Sequence, residues 1–358
     1  MFKRIKRFLL PVLFCLVATA MPYGVNAQDE SYTLKKNSLA QTLLNDKAEY
    51  YRHLYPEISF LILQGGDETV DDMLALGLLL GFQPKSLDYE HPPELREDLM
   101  IVSVNRILLM LQSKMPSASL FMADAPLVSQ EKICVLTINP DEIASDSIQA
   151  TRHLSNLPEK FIQKVPEDLQ LQSGDYLMFV IDHEVYHCLQ SMYVGPQRMS
   201  QKELWGEYNG FLDEQGADAY ALGMNINTRR EIQSFAENIL RVRGVALYSG
   251  DTGHLTCKAL QQIVKVPVED LAEMSANEIF DMANQIKERM TISYDEYIQY
   301  LASSVHAMKD LGVEALVPEE LRNRIKGTQA DPALVKELVV NSRHSLAEMG
   351  GGEVEPFQ

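Results

Sequence analysis

The chain has 358 residues, of which 46% are hydrophobic, and it carries a formal net charge of −18 at pH 7. This apolar content can fill the core of one large domain or of two lobes, so we expect a folded globular protein. So acidic a surface disfavours nucleic acid and anionic lipid as partners.

Residues 1–27 have the three-part pattern of an export signal. Residues 1–7 are basic, residues 8–20 are apolar, and Val25-Asn26-Ala27 is a small-residue cleavage site. The apolar run is shorter than the roughly 20 residues that span a bilayer, so we expect cleavage and not a membrane anchor. Phe14 before Cys15 is unlike a lipoprotein processing site. The sequence therefore predicts a periplasmic or extracellular protein with no integral membrane segment in its mature form.

Residues 28–150 predict a lobe of mixed helix and strand. Helices are expected at 38–53, 69–80 and 93–114, and strands at 58–63, 119–123 and 132–138. The β-branched content and spacing of the last two strands indicate a small hairpin or sheet.

Residues 151–345 predict a helical lobe. Four Ser or Thr residues, each followed three positions later by Glu, precede helical patterns and resemble capping boxes. The pairs are Ser200/Glu203, Thr228/Glu231, Ser275/Glu278 and Ser293/Glu296. Residues 346–358 are rich in glycine and predict a disordered tail. The predicted fold class is therefore mainly α with a small β-sheet, in two lobes that divide near residue 150.

A group of zinc-ligand residues lies in the apolar segment 176–193. His183 and His187 are four residues apart, so on a helix they lie on one face and can direct their imidazoles at one ion. Glu184 lies one residue further round, where its carboxylate can reach a water in the open position of the ion without binding the ion itself. This spacing predicts a hydrolytic site with one Zn2+ per chain.

Glu214 is the best candidate for a third ligand. It lies on a predicted helix together with Asp218, four residues later on the same face. Gly216 and Ala217 are small enough to let this helix approach the histidine helix. We expect Glu214 to bind the ion, and Asp218 to accept a hydrogen bond from the other ring nitrogen of a ligand histidine.

These motifs resemble those of the gluzincin zinc metallopeptidases, the clan typified by thermolysin and neprilysin. Residues 180–189, Val-Ile-Asp-His-Glu-Val-Tyr-His-Cys-Leu, fit the extended HExxH motif, and Asp182 falls at the flanking position that the motif leaves free. Residues 214–218, Glu-Gln-Gly-Ala-Asp, match its Glu-x-x-Ala-Asp motif. The resemblance is confined to this part of the chain and identifies no family within the clan.

The resemblance implies a zincin-like fold with two lobes flanking an active-site helix, and hydrolysis of peptide bonds by a zinc-activated water with Glu184 as general base. It also implies a second electrophile for the oxyanion, usually a His or Tyr from the helical lobe. Tyr248 and His254, on either side of a glycine-containing loop, are the candidates, and His306 is a third. The substrate would add as a strand to a sheet edge, for which 132–138 is proposed, although a buried strand fits the same residues equally well.

Cysteine pairing is left open by the sequence. Cys134, Cys188 and Cys257 allow at most one intramolecular disulfide, with three possible pairings. Cys188 is expected to be a packed residue and not a fourth ligand, because on a helix it points about 100° away from His187.

Two alternatives to a peptidase fit parts of the sequence. A non-catalytic zinc-binding protein of the cell envelope would use the same ligands structurally, although Glu184 and the lack of a fourth soft ligand argue against it. A helical interaction or assembly factor would carry the motif by chance and would bind less than one equivalent of zinc. The expected partners of the peptidase are peptides or proteins, while the sequence specifies neither a cleavage preference nor an oligomeric state.

Overall fold

The computed structural model describes residues 39–63, 82–84, 117–123, 132–138, 173–194, 205–229 and 233–348. The chain divides into two compact units, Met1–Ile138 and Asn139–Gln358. Most described residues are helical and the strands form one small sheet, so the predicted class, mainly α with a small β-sheet, is confirmed. The export signal, the predicted helices at 69–80 and 93–114, and the lobe boundary near 150 lie outside the described residues.

The first unit contains one described helix and four strands. They are α1 (Leu39–Leu54), β1 (Ser59–Leu63), β2 (Phe82–Pro84), β3 (Ser117–Ala123) and β4 (Lys132–Thr137). Buried aromatic residues join α1 to the strand that follows it. The ring of Tyr51 stacks on Tyr55, with centroids 6.2 Å apart, and lies 5.7 Å from the ring of Phe60 in β1.

The sheet has the strand order β1-β4-β3-β2. β4 pairs in parallel with β1 and antiparallel with β3, and β2 pairs antiparallel with β3. Residues 133–137 of β4 are all buried, as expected of a central strand. The prediction that 132–138 offers a sheet edge is therefore wrong, because strands on both sides already take up its backbone hydrogen bonds.

The second unit is helical in all its described elements. Its α-helices are α2 (Ser173–Leu189), α3 (Trp205–Arg229), α4 (Gln233–Gly244), α5 (Cys257–Val264), α6 (Val268–Glu273), α7 (Ala276–Arg289), α8 (Tyr294–Asp310), α9 (Glu319–Arg324) and α10 (Pro332–Glu348). A π-helix (Gln190–Val194) extends α2, and 3-10 helices lie at Ala246–Ser249 and Glu314–Leu316. α3 contacts α2, α5, α6 and α7, so it is the helix around which this unit packs.

Capping chemistry explains where two of these helices begin. Ser275 and Ser293 precede α7 and α8, and each forms the predicted capping box with the Glu three residues later. Thr228 instead lies near the end of α3, where its hydroxyl donates to the carbonyl of Met224 at 3.0 Å. The helix start predicted at Thr228 is therefore wrong, because the hydroxyl is already satisfied within its own helix.

Three further predictions concern the cysteines, the membrane and the tail. Cys134 and Cys188 are disulfide-bonded and Cys257 is a free cysteine. Among the described helices, none combines the length and apolarity needed to cross a bilayer. α10 continues to Glu348, so the first residues of the tail predicted from 346 are helical, and residues 349–358 lie outside the described part.

Candidate metal centre

α2 brings the two histidines of the motif to one face. Its sequence is apolar along most of its length, so the helix is buried and carries its few polar side chains into the interior of the unit. The Nε2 atoms of His183 and His187 lie 3.3 Å apart. Helical spacing alone therefore produces the pair of imidazoles that the sequence predicts.

Glu214 of α3 completes a group of three possible ligands. Its Oε2 lies 3.0 Å from His183 Nε2, and its Oε1 lies 3.7 Å from His187 Nε2. The ligand atoms of the three residues all lie within 4.8 Å of one another. Ligands about 2.0–2.1 Å from a tetrahedral zinc ion are about 3.3 Å from one another, so these separations suit such an ion.

α3 can bring Glu214 this close because Gly216 has no side chain. A Cβ added at Gly216 would lie 2.0 Å from the phenolic oxygen of Tyr186 and 2.4 Å from its Cζ. Ala217, the next residue, is fully buried. The small residues between Glu214 and Asp218 therefore set the distance between the two ligand-bearing helices.

Asp218 fixes the orientation of His183. It is fully buried, and its Oδ1 accepts a hydrogen bond from His183 Nδ1 at 2.8 Å. The side chains of Arg243 and Thr256 also donate to this carboxylate. Burial would raise the pKa of Asp218, but the charge of Arg243 and the hydrogen bond from His183 hold it well below its usual range. An ionised Asp218 keeps the proton of His183 on Nδ1 and leaves Nε2 to face the ligand group.

The carboxylates around His183 favour positive charge at this position. Burial would lower the pKa of His183, but Glu214 and Asp218 raise it to about 10. The Oε2 atom of Glu214 is buried and has no hydrogen bond of good geometry, although two imidazole nitrogens lie close to it. A cation between the Nε2 atoms and this oxygen would supply the positive charge that the carboxylates favour and would give the Oε2 atom a partner. The residues therefore fit a metal ion.

Glu184 is buried beside the ligand group. Burial raises the pKa of its carboxyl group, and the nearby charges of His183 and His187 oppose that rise only in part. A carboxyl group with a raised pKa is a stronger base when it is ionised, so it is better suited to take up and release a proton than an exposed carboxyl group is.

His254 lies next to Glu214 and is held there by Asp251. Its Nε2 is 3.1 Å from Glu214 Oε2, and its Nδ1 is 2.7 Å from Asp251 Oδ2. Asp251 Oδ1 also accepts hydrogen bonds from the backbone nitrogens of Gly253 and His254, so one carboxylate orders both the loop and the ring. Burial and Arg243 would lower the pKa of His254, but Glu214 and Asp251 raise it to about 9.

The other two candidates for the electrophile lie in different surroundings. Tyr248 is buried in the 3-10 helix Ala246–Ser249, where burial raises its pKa and the charge of Arg343 opposes the rise. His306 donates from its Nδ1 to the carbonyl oxygen of Ala302, 2.9 Å away within α8. The structure therefore brings His254 to the ligand group, and a catalytic role for any of the three stays a prediction.

Sequence reasoning missed Arg243, Thr256 and Asp251. Arg243 and Thr256 reach Asp218 from elements 25 and 38 residues away, a distance over which helical spacing carries no information. Asp251 had a local signal, because an Asp three residues before a His in a glycine-containing loop can accept from both its backbone and its ring.

The chain matches no known family model, no curated protein and no solved structure. The resemblance to the gluzincins therefore depends on residues 180–189 and 214–218. What the geometry supports is a partly buried group of two histidines and one glutamate that can hold a metal ion.

Proposed function

We propose that the protein is a zinc-dependent metallopeptidase that hydrolyses peptide bonds with Glu184 as general base. The observation that carries the proposal is the convergence of His183, His187 and Glu214, with Glu184 buried next to them. Two imidazoles and one carboxylate are a ligand set of catalytic zinc sites, which keep a fourth position open. A structural site would normally be closed by a fourth protein ligand.

Zinc held by these three residues would supply a Lewis acid for the scissile carbonyl and would lower the pKa of a water molecule. Glu184 takes one proton from the attacking water as its oxygen adds to the carbonyl carbon. The same carboxyl group then gives the proton to the amide nitrogen as the carbon–nitrogen bond breaks. The second proton of the water passes from the new carboxylic acid to the released amine, so the products at neutral pH are a carboxylate and an ammonium group, and the atoms of one water molecule are consumed.

The oxyanion of the addition step needs a donor besides the metal, and His254 is our first candidate. Its ring is held by Asp251 and lies against Glu214, so it is already ordered at the edge of the ligand group. Ordered donors stabilise a developing charge without reorganising during the reaction. Tyr248 remains the second candidate. If His254 stabilises the oxyanion, His254→Ala should lower kcat and Tyr248→Phe should not. If Tyr248 has this role, the reverse should hold.

The cysteine state supports an exported protein. Cys134 and Cys188 are disulfide-bonded, and disulfides persist in oxidising compartments such as the periplasm and the extracellular space. The same localisation follows from the export signal predicted in residues 1–27. Peptides or exported proteins would therefore be the substrates.

The test is to incubate the zinc-loaded protein with a diverse peptide mixture and to map new termini by mass spectrometry. We expect cleavage with wild type, none after chelation, and recovery when zinc is returned. Glu184→Gln keeps the shape of the side chain but removes the base, so this variant should bind one zinc ion and release no products. Zinc binding with no cleavage by wild type, or full biological activity of Glu184→Gln, would favour the non-catalytic zinc-binding protein.

A further inference from the structure

Both oxygens of the Asp218 carboxylate accept hydrogen bonds from two donors. Its Oδ1 accepts from His183 Nδ1 and from Arg243 Nη2, both at 2.8 Å. Its Oδ2 accepts from Arg243 Nε at 2.7 Å and from the hydroxyl of Thr256. Asp218, Arg243 and Thr256 are all buried, so these bonds are protected from competing water.

The two additional donors come from different elements. Arg243 lies at the end of α4, and Thr256 immediately precedes α5. The guanidinium binds both oxygens through two nitrogens, an arrangement that fixes the plane of a carboxylate as well as its position. Thr256 then bonds the oxygen that does not face His183. The orientation of Asp218 is therefore set by three elements of the unit and not by α3 alone.

We propose that Arg243 and Thr256 are positioning residues for the metal ligand His183. They hold Asp218 so that His183 donates from Nδ1 and presents Nε2 to His187 and Glu214. The inference rests on the proposed metal site but not on peptidase activity. It predicts that the two residues tune metal affinity without touching the ion.

A purely structural role for Arg243 and Thr256 makes a different prediction. In that case, loss of either residue lowers the free energy of unfolding and leaves the affinity of the folded protein for metal unchanged. Loss of a positioning residue lowers the affinity itself, because the direct partner of a metal-bound histidine, here Asp218, typically contributes about 10- to 100-fold in affinity and these residues hold that partner in place. Metal affinity of the folded protein therefore separates the two roles.

The variants are chosen to remove bonds with little change in volume or charge. Arg243→Lys keeps the positive charge but cannot bind both oxygens. Thr256→Val removes the hydroxyl and keeps the shape, while Thr256→Ser keeps the hydroxyl and serves as its matched control. Asn227→Ala is the control for stability, because Asn227 bonds the carbonyls of Leu271 and Met274 from α3 without contact to Asp218.

Zinc affinity is measured on the full chain by competition with a chromophoric chelator, below the unfolding temperature of every variant. We expect Arg243→Lys to lose about tenfold or more in affinity and Thr256→Val to lose several-fold. Thr256→Ser and Asn227→Ala should bind as wild type does. The visible spectrum of the cobalt-loaded protein should change in Arg243→Lys and Thr256→Val and not in the two controls.

The proposal is overturned if wild type binds zinc and both Arg243→Lys and Thr256→Val match its affinity and cobalt spectrum. It also falls if Asn227→Ala loses as much affinity as they do. Failure of the metal site itself looks different, because wild type would then bind no zinc. If only the peptidase proposal fails, wild type cleaves no peptide but the zinc affinities of wild type and of the variants are still those expected above.

Discussion

Replacing Gly216 with alanine tests how the distance between the two ligand helices is set. Alanine is favoured over glycine inside a helix by roughly 0.5–1 kcal/mol, so propensity alone predicts a more stable protein. The new methyl group, however, would lie 2.0 Å from the phenolic oxygen of Tyr186. That phenol is not free to move, because it donates to Asn284 Oδ1 at 2.9 Å and its ring packs on Phe280, with centroids 5.6 Å apart.

Overpacking of this kind costs typically about 1–3 kcal/mol, which exceeds the gain in helix propensity. We expect Gly216→Ala to lower the free energy of unfolding by about 1–2 kcal/mol. We also expect weaker zinc binding, because relief of the clash moves Glu214 away from His183 and His187. Thermal unfolding and zinc titration measure the two effects on the same sample.

Gly210 supplies the matched control in the same helix. A Cβ added at Gly210 meets nothing within 4 Å, so Gly210→Ala should raise stability by up to about 1 kcal/mol and leave zinc affinity unchanged. On a Tyr186→Leu background, Gly216→Ala should cost less, since the ring that it meets is gone. If Gly216→Ala behaves as Gly210→Ala does in both assays, the close approach of the helices is not set by Gly216.

Three other predictions follow from the site, the caps and the free thiol. Zinc at 1,000 times its Kd should stabilise wild type by about 4 kcal/mol in thermal unfolding. It should have no such effect on the His183→Ala/His187→Ala double variant, and equal stabilisation of both proteins would place the ion elsewhere. Ser275→Ala and Ser293→Ala should each lower stability by about 1 kcal/mol in denaturant titrations without changing zinc affinity, and unchanged midpoints would contradict the capping boxes. Burial raises the pKa of the Cys257 thiol to about 12, so little thiolate exists at neutral pH. Alkylation followed by mass spectrometry should therefore be slow in the native protein and fast in denaturant, and equal rates would contradict the raised pKa.

The sequence predicted those parts of the site that depend on helical spacing. His183 and His187 lie on one face of α2, and Glu214 and Asp218 lie on one face of α3. Local periodicity was therefore enough to pair the two residues within each helix. Capping boxes at Ser275 and Ser293 are equally local. Their positions are fixed by hydrogen bonds over three residues, which the sequence displays directly.

The approach of Glu214 and Asp218 to the two histidines was predicted and is seen, but other predictions that depended on distant partners were wrong or were not made. The strand at 132–138 is central and not an edge because β1, more than 60 residues earlier in the chain, pairs with it. Arg243 at the end of α4 and Thr256 just before α5 converge on Asp218, and no spacing in the sequence links them. Such pairings are decided by tertiary packing, where the identity of the partner cannot be seen from either segment alone.

The electrostatics of the candidate site explain why a cation fits better than a network closed by side chains. Arg243 places a permanent positive charge beside Asp218. Glu214 instead lies against imidazoles, which are charged only when they are protonated. Its Oε2 also lacks a hydrogen bond of good geometry, and Glu184 adds a second buried carboxyl group nearby. A fortuitous motif in an interaction protein would need neighbours that satisfy each of these groups, because buried unpaired carboxylates are strongly destabilising. A divalent ion between the Nε2 atoms and Glu214 would replace the protons of the imidazoles as the source of positive charge where these groups converge.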